Sequence, residues 1–396
     1  MSVWSSLVGQ EAAVAKLSEA AASARAIVAS RGGAHASDDA RSMSHAWLIT
    51  GPPGSGRSVA ARAFAAALQC TGETVGCGQC AGCRTTMGRT NADVVFAATE
   101  TSIINVETAR SLVLQAQSSP SQGLWRVIVV EDADRLGESG ANALLKAIEE
   151  PPEHTVWLLC APSPEDMIAT IRSRCRHLGL RIPTAAAVAD LLVREGVATP
   201  EVALEAARAA QSHIGLARAL ARDPQMRERR RAIITAPASV RSVGEAVMAA
   251  DRLLETAKAQ ADAQVSERNA REKAELMRQL GMDEGESATK ASRTMIRQLE
   301  EDQKRRSKRA LTDAIDRALI DLLAIYRDVL MIQVGGDGEL INTDLADLVG
   351  QIARDSTPRQ TLARVDHIET ARKRLVSNGN PLLVLEDMAI SLRPQA

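Results

Sequence analysis

Aromatic side chains are scarce in this sequence of 396 residues, which holds four Trp, two Phe and one Tyr. Hydrophobic residues nevertheless make up 45% of the chain, so its core must consist mainly of Ala, Leu, Val and Ile. Alanine-rich chains with few aromatics are typically helical. The length allows two or three domains.

An excess of charge of one sign is also lacking, because 48 basic residues face 49 acidic ones and the net charge is -1. This balance argues against attraction of the whole protein to nucleic acid, so any DNA contact would be local or made through partners. No apolar run approaches the roughly 18 residues of a membrane-spanning helix, and Met1–Gln10 does not resemble a secretory signal. We therefore expect a soluble, cytoplasmic protein, in which six cysteines favour metal binding over disulfides.

The texture of the sequence changes near Pro183. Before that point, helices alternate with short apolar runs, which predicts a parallel, doubly wound α/β sheet. After it, the pattern is helical to the end, with interruptions at Gly281–Gly285 and Gly335–Gly338. The first helix is expected over Gln10–Ser30, a loop over 31–44, and strands over 45–50, 93–98, 125–131 and 155–161.

The segment 255–310 is highly charged and offers only a thin apolar stripe. It is predicted to be a helical hairpin that is broken near Gly281–Gly285 and projects from the last domain. A partly disordered insertion is the alternative.

A phosphate-binding loop is predicted at Gly51-Pro-Pro-Gly54-Ser-Gly56-Arg57-Ser58, between a strand and a helix. Glycines let backbone N–H groups turn toward a phosphate, the helix N-terminus adds positive potential, and Ser58 would bind Mg²⁺. Arg57 stands where the motif has lysine, and its larger, forked head should impair catalytic geometry. ATP with Mg²⁺ is the expected ligand, and a loop that binds nothing is the alternative.

Two acids follow the apolar run Val127–Val130 and could serve that loop. Glu131 would bind Mg²⁺ and Asp132 would orient the attacking water. ATPases of this kind usually carry Asp followed by Glu, and a shorter acid in the second place would hold water less well. Together with Arg57, this order argues against efficient hydrolysis.

Four cysteines lie within fourteen residues as Cys70-x6-Cys77-x2-Cys80-x2-Cys83. Four thiolates at this spacing can close a tetrahedral, structural Zn²⁺ site, with an iron–sulfur cluster as the minor alternative. Cys160 lies in an apolar run and is predicted to be a core residue.

The string Asn142-Ala-Leu-Leu-Lys-Ala-Ile-Glu-Glu-Pro-Pro152 closely resembles one in bacterial DNA polymerase III clamp-loader subunits, gamma/tau and delta prime, and less closely one in replication factor C small subunits. The phosphate loop, the cysteine module and Ser173-Arg174-Cys175 fit the same AAA+ family in the same order. The resemblance covers residues 1–222 well and covers 238–396 only by length and helical character.

The resemblance implies an α/β AAA+ domain over 1–180 with the zinc module at 70–83, a helical lid over 181–236 and a helical collar over 237–396. It implies a five-subunit loader, with gamma/tau and delta subunits as partners, that places a sliding clamp on primer-template DNA. Arg174 would be an arginine finger acting on the nucleotide of the adjacent subunit, and Arg218 would sense phosphate. The departures at Arg57 and Glu131-Asp132 favour a delta prime-type stator; a gamma/tau-type ATPase and a nucleotide-free scaffold are the alternatives.

Overall fold

Five parallel strands form a sheet in the N-terminal part of the chain, and four of them were predicted to within one residue at each end. The fifth strand was not predicted, because its sequence Arg176-His177-Leu178-Gly179 is mostly polar and it lies at an exposed edge. In chain order the strands are β1 (Ala46–Thr50), β2 (Val94–Ala97), β3 (Arg126–Val130), β4 (Thr155–Ala161) and β5 (Arg176–Gly179), and across the sheet they are ordered β2-β3-β4-β1-β5.

The residues that the structure, a computed structural model, describes are 2–30, 42–97, 104–280 and 290–393. They form two units, which divide between Ala221 and Arg222. The predicted interruption near Gly281–Gly285 and most of the predicted loop over 31–44 lie outside the described residues.

Both faces of the central strands are buried, which explains why β1, β3 and β4 are nearly continuous apolar runs. Because successive side chains point to opposite faces, Trp47 and Ile49 of β1 join one core cluster and Leu48 joins the other. The first cluster also contains α1 (Glu11–Ala29) and α2 (Arg57–Leu68); the second contains α4 (Val106–Ala116) and α5 (Glu138–Glu149). The remaining helices here are α3 (Ala81–Met87), α6 (Ala169–Arg172), α7 (Ala185–Arg194), α8 (Pro200–Ala209) and α9 (Ile214–Arg222).

The second unit is helical throughout its regular structure in the described ranges. Its core joins Leu319, Leu322, Ile368 and Leu385 with their neighbours. The helices are α10 (Pro224–Ser239), α11 (Val243–Gln279), α12 (Lys290–Gln333), α13 (Ala346–Arg354), α14 (Pro358–Val376) and α15 (Pro381–Ser391). Pro224 is the first residue of α10, and Pro237 lies inside the last turn of that helix.

The charged segment is helical where it is described. Ala261 and Val265 of α11 are buried against Ala310 of α12, so small side chains let the two helices approach closely. Arg306 of α12 donates hydrogen bonds to Asn269 (2.8 Å) and pairs with Glu272 of α11 (2.8 Å). These contacts agree with the predicted hairpin for the residues described.

The predicted division into domains at 1–180, 181–236 and 237–396 remains a prediction. Among the helices of the described ranges, none combines the length and the hydropathy that crossing a membrane requires.

Candidate functional site

The glycine-rich loop joins β1 to α2, as predicted. Gly54 and Gly56 have positive φ angles of 91° and 89°, a conformation that glycine adopts at little cost. Gly56 is the N-cap of α2, so the unpaired N–H groups of the first helical turn lie beside the loop. The loop therefore has the backbone form that binds phosphate at a helix N-terminus.

Two serines in the loop offer hydroxyls. Ser58 is half-buried in the first turn of α2, while Ser55 is buried inside the loop. The Ser55 Oγ has no hydrogen-bond partner among the described residues. A side chain at Gly51 would place its Cβ 2.5 Å from this oxygen, so glycine is needed there. A buried hydroxyl without a partner is costly, and a phosphate in the loop would relieve that cost.

Gln10 ties the loop to the rest of the fold. Its buried amide Nε2 donates to the carbonyl of Ser55 (3.3 Å), and its Oε1 accepts from the backbone N–H of Arg181 (3.2 Å). Val8 and Gly9, just before Gln10, line a cavity of about 610 Å³ between the N-terminal turn and α7. Leu7 also lines it and would lie 3.9 Å from a Cβ built on Gly56, so the loop is adjacent to a space large enough for an organic ligand.

Arg57 does not extend freely into this loop. Its guanidinium Nη1 donates a hydrogen bond to the carbonyl oxygen of Gly51, within the loop itself. A positive group that the motif uses for phosphate is therefore engaged with the protein backbone.

Glu131 and Asp132 follow β3 at the carboxyl edge of the sheet. The Glu131 carboxylate is 14% exposed and pairs with Arg89, whose Nη2 lies 2.5 Å from the Glu131 Oε1. Asp132 begins a short turn, and its carbonyl accepts from the N–H of Arg135 (3.1 Å). Burial raises the pKa of Asp134 in this turn, and repulsion by Asp132 adds to that effect.

The buried thiol of Cys160 in β4 is influenced by the charges of Glu131, Asp132 and Arg57. Burial raises the pKa of Cys160 to about 12; Glu131 and Asp132 oppose its ionisation and Arg57 favours it. Because β1, β4 and β3 are parallel, the phosphate loop after β1 and the acids after β3 lie at the same edge of the sheet. Cys160 itself is fully buried, which confirms its prediction as a core residue.

The four cysteines of the module come together. Their sulfur atoms all lie within 4.8 Å of one another, which fits a four-cysteine metal site. Although burial opposes ionisation, hydrogen bonds from the backbone of Cys83 and Thr71 lower the pKa of Cys80 to about 5. Cys77 accepts bonds from the N–H groups of Gln79 and Cys80, both at 3.4 Å. These hydrogen bonds favour the thiolate of Cys80, the form that binds metal, whereas burial raises the pKa of Cys83.

The cysteine module is fixed to the α/β unit by backbone contacts. Arg25 of α1 donates to the carbonyls of Cys70 (2.8 Å) and Glu73 (3.0 Å). The N–H of Val3 donates to the carbonyl of Gly76 (3.0 Å), whose φ is 74°. The module is thus an integral part of this unit.

Arg174 lies at the surface just before β5. Its Nε pairs with Glu149, the last residue of α5, and its Nη1 donates to the carbonyl of Thr170 (2.8 Å). Both side chains of the ion pair are about two-fifths exposed. Arg174 is therefore accessible but is not free in the isolated chain.

Arg218 of α9 forms a two-pronged ion pair with Glu195, at 2.9 and 2.8 Å. The turn before α9 nevertheless lies at the phosphate loop, because a Cβ built on Gly54 would come within 3.0 Å of the His213 Cα. His213 accepts a hydrogen bond from the N–H of Leu216 through its Nδ1 (3.2 Å), so it caps α9.

Comparison with known proteins gives a family for the α/β region. Residues 35–184 match the family model described as "DNA polymerase III, delta subunit". Residues 35–184 thus resemble this domain of DNA polymerase III clamp-loader subunits.

Curated relatives of this clamp-loader domain include two subunit types. The chain is 35% identical over 159 residues to a DNA polymerase III subunit gamma/tau of Mycobacterium tuberculosis, covering 39% of this chain and 28% of that protein. It is 34% identical over 165 residues to a subunit delta' of Pseudomonas aeruginosa, covering 41% of this chain and 50% of that protein. A subunit delta' of Yersinia pestis is 37% identical, covering 36% and 43%. The chain thus spans half or less of these relatives.

Three contacts of the clamp-loader domain were not predicted from sequence. Gln10, Arg89 and Glu149 each contact a predicted site residue or its loop from a distant part of the chain. Arg89 carried no signal in the sequence, because nothing local relates it to Glu131.

Proposed function

We propose that the chain is a delta prime-type subunit of a DNA polymerase III clamp loader, which places the sliding clamp on primed DNA. In this role it assembles with gamma/tau and delta subunits and acts as a stator that hydrolyses ATP poorly or not at all. The observation that carries the proposal is a contrast between two arginines. Arg57 is turned onto the carbonyl of its own loop, whereas Arg174 is accessible at the surface.

The same contrast extends to the acids. Glu131 is held by Arg89, so its charge is already balanced within the chain. Hydrolysis would need both Glu131 and Asp132 for Mg²⁺ and water. A site with these groups engaged can bind nucleotide through its backbone and Ser58 while turning it over slowly. When bound, ATP with Mg²⁺ would supply the phosphates that this loop holds.

Arg174 would act across a subunit boundary. A transferred phosphoryl group develops negative charge that an arginine from a neighbouring subunit can stabilise. For that contact Arg174 must leave Glu149, so the finger becomes available when the neighbour offers a better partner. The subunit then promotes turnover at its neighbour without hydrolysing ATP itself.

The cysteine module would hold Zn²⁺ in a structural role. Cys70, Cys77, Cys80 and Cys83 supply four sulfur ligands, which complete a tetrahedral site and leave no position for a reactive water. The metal would therefore stabilise the module rather than take part in turnover.

The test is ATP turnover by the loader reconstituted with clamp and primed DNA. Wild type is compared with Arg174→Ala and Arg57→Ala, with Arg172→Ala, at the end of α6 two residues before Arg174, as the matched control. We expect Arg174→Ala alone to lower turnover, by about 10³-fold at the neighbouring site if that arginine acts as fingers do elsewhere.

A loss of turnover in Arg57→Ala as large as that in Arg174→Ala would contradict the stator role. It would favour a gamma/tau-type ATPase, the alternative supported by the similarity to gamma/tau subunits. Unchanged turnover in every variant, with no binding of ATP by the isolated chain, would favour a nucleotide-free scaffold.

A further inference from the structure

Arg89 reaches the acidic edge of the sheet from outside the phosphate loop. It follows α3, the helix of the cysteine module, and its Nη2 lies 2.5 Å from the Glu131 Oε1. Glu131 is the first of the two acids and the one predicted to bind Mg²⁺. The Arg89 guanidinium therefore occupies the ligand atom that a divalent cation would need.

A side-chain contact and the conformation of the backbone together fix the position of Arg89. Its Cζ lies 5.0 Å from the centre of the Phe96 ring in β2, the geometry of a cation–π contact. The backbone of Arg89 has a φ of 59°, which is uncommon for a residue with a side chain. Its N–H donates to the carbonyl of Thr86 (3.0 Å), closing the end of α3. The position of Arg89 is thus determined by the helix that begins after Cys80.

The surrounding charge also opposes a cation. Arg62 of α2 is half-buried, and its Nε has no hydrogen-bond partner among the described residues. Burial lowers the pKa of Arg62, and repulsion by Arg89 adds to this, while Glu131 acts in the opposite direction. Two guanidinium groups, those of Arg89 and Arg62, therefore act electrostatically on the same carboxylate.

We propose that Arg89 is a positioning residue that competes with a divalent cation for Glu131, so that the cysteine module lowers the metal affinity of the nucleotide site. The inference rests on the proposed function in that it takes the loop and the two acids as a nucleotide site. It adds a cause for slow hydrolysis that lies outside the phosphate loop.

The test measures Mn²⁺ binding to the full chain by electron paramagnetic resonance, with and without a non-hydrolysable ATP analogue. Removing the charge in Arg89→Gln should tighten Mn²⁺ binding by up to about fivefold, the effect of freeing a carboxylate from one solvent-screened ion pair. Arg89→Lys should bind like wild type. So should Arg84→Ala, a matched control on α3 whose exposed side chain has no described ion pair.

A double variant tests whether Arg89 acts on Mn²⁺ binding through Glu131. If Arg89 acts through Glu131, the gain should vanish in Arg89→Gln combined with Glu131→Gln. Unchanged Mn²⁺ affinity in Arg89→Gln, or a gain that survives the double substitution, would overturn the proposal. Zinc content and the far-ultraviolet spectrum check that each variant is folded. Arg89→Asn, which suits the positive φ, replaces Arg89→Gln if that variant fails to fold.

The Mn²⁺ experiment and the turnover experiment with Arg174→Ala can fail independently of each other. The Mn²⁺ measurement is made on the isolated chain and involves no neighbouring subunit. If Arg89→Gln leaves Mn²⁺ affinity unchanged while Arg174→Ala strongly lowers turnover of the loader, the stator role stands. Only the competition between Arg89 and the cation is then refuted.

Discussion

The ion pair between Arg174 and Glu149 gives a quantitative prediction. If Arg174 must leave Glu149 to reach a neighbouring nucleotide, removing the Glu149 charge should make that step easier. The side chains are 39% and 40% exposed, so solvent screens the pair, and its worth is about 0.2–1 kcal/mol. At the upper end this free energy corresponds to about a fivefold change in an equilibrium constant.

We therefore expect Glu149→Gln to raise turnover of the reconstituted loader by up to about fivefold when nucleotide is limiting. The isolated chain should change little in its free energy of unfolding. Glu149 lies at the carboxyl end of α5, where a negative charge is unfavourable, so its removal offsets the lost ion pair. Turnover is measured by phosphate release and stability by urea denaturation.

The control is Glu150→Gln, which alters the next residue, an exposed acid with no described ion pair. An equal rise in Glu150→Gln would attribute the effect to general charge. A fall in turnover in Glu149→Gln, comparable with that of Arg174→Ala, would refute the reasoning, because Glu149 would then assist the finger instead of restraining it.

Two further predictions concern the metal module and a buried acid. Cys80→Ser should lower the zinc content measured by atomic absorption and reduce thermal stability. The control Cys175→Ser, outside the module, should retain the metal. Full zinc content in Cys80→Ser would contradict the assignment of the metal site. Asp93 is buried, which would raise its pKa, but hydrogen bonds from the backbone of Ser121, Gln122 and Gly123 outweigh burial and lower it. The ionised Asp93 carboxylate therefore stabilises the folded state above the unfolded-state pKa of about 4, and this stabilisation is lost as the pH falls through the lower folded-state pKa. Asp93→Asn should lower the free energy of unfolding at pH 7 and make its decrease in acid less steep. Urea denaturation at a series of pH values measures both effects.

Burial on both sides explains how far the strands could be predicted. β1 and β4 lie between two layers of helices, so every residue in them is buried and the sequence reads as an unbroken apolar run. β5 forms an edge, and Arg176 and His177 are exposed on it. Its pairing with β1 is made by backbone groups, which leave no apolar pattern to detect.

In the helical unit, too, the sequence only partly predicts where helices end and how they pack. A proline usually ends a helix, but Pro237 lies in the last turn of α10, where it removes one hydrogen bond that the helix can lose near its end. The helix ends two residues later at Ser239. In the charged segment, alanine rather than large apolar residues forms the contact between α11 and α12. A thin stripe was therefore sufficient for packing, although it looked insufficient in the sequence.

The sequence alone determined the local chemistry of this protein. The glycines of the phosphate loop, the spacing of the four cysteines and the acids after β3 are each set by neighbouring residues, so motif and geometry agree. Tertiary structure decided which charges are engaged: Arg89 with Glu131, Glu149 with Arg174, and Glu195 with Arg218. These partners are distant along the chain and meet only because the elements that carry them pack together.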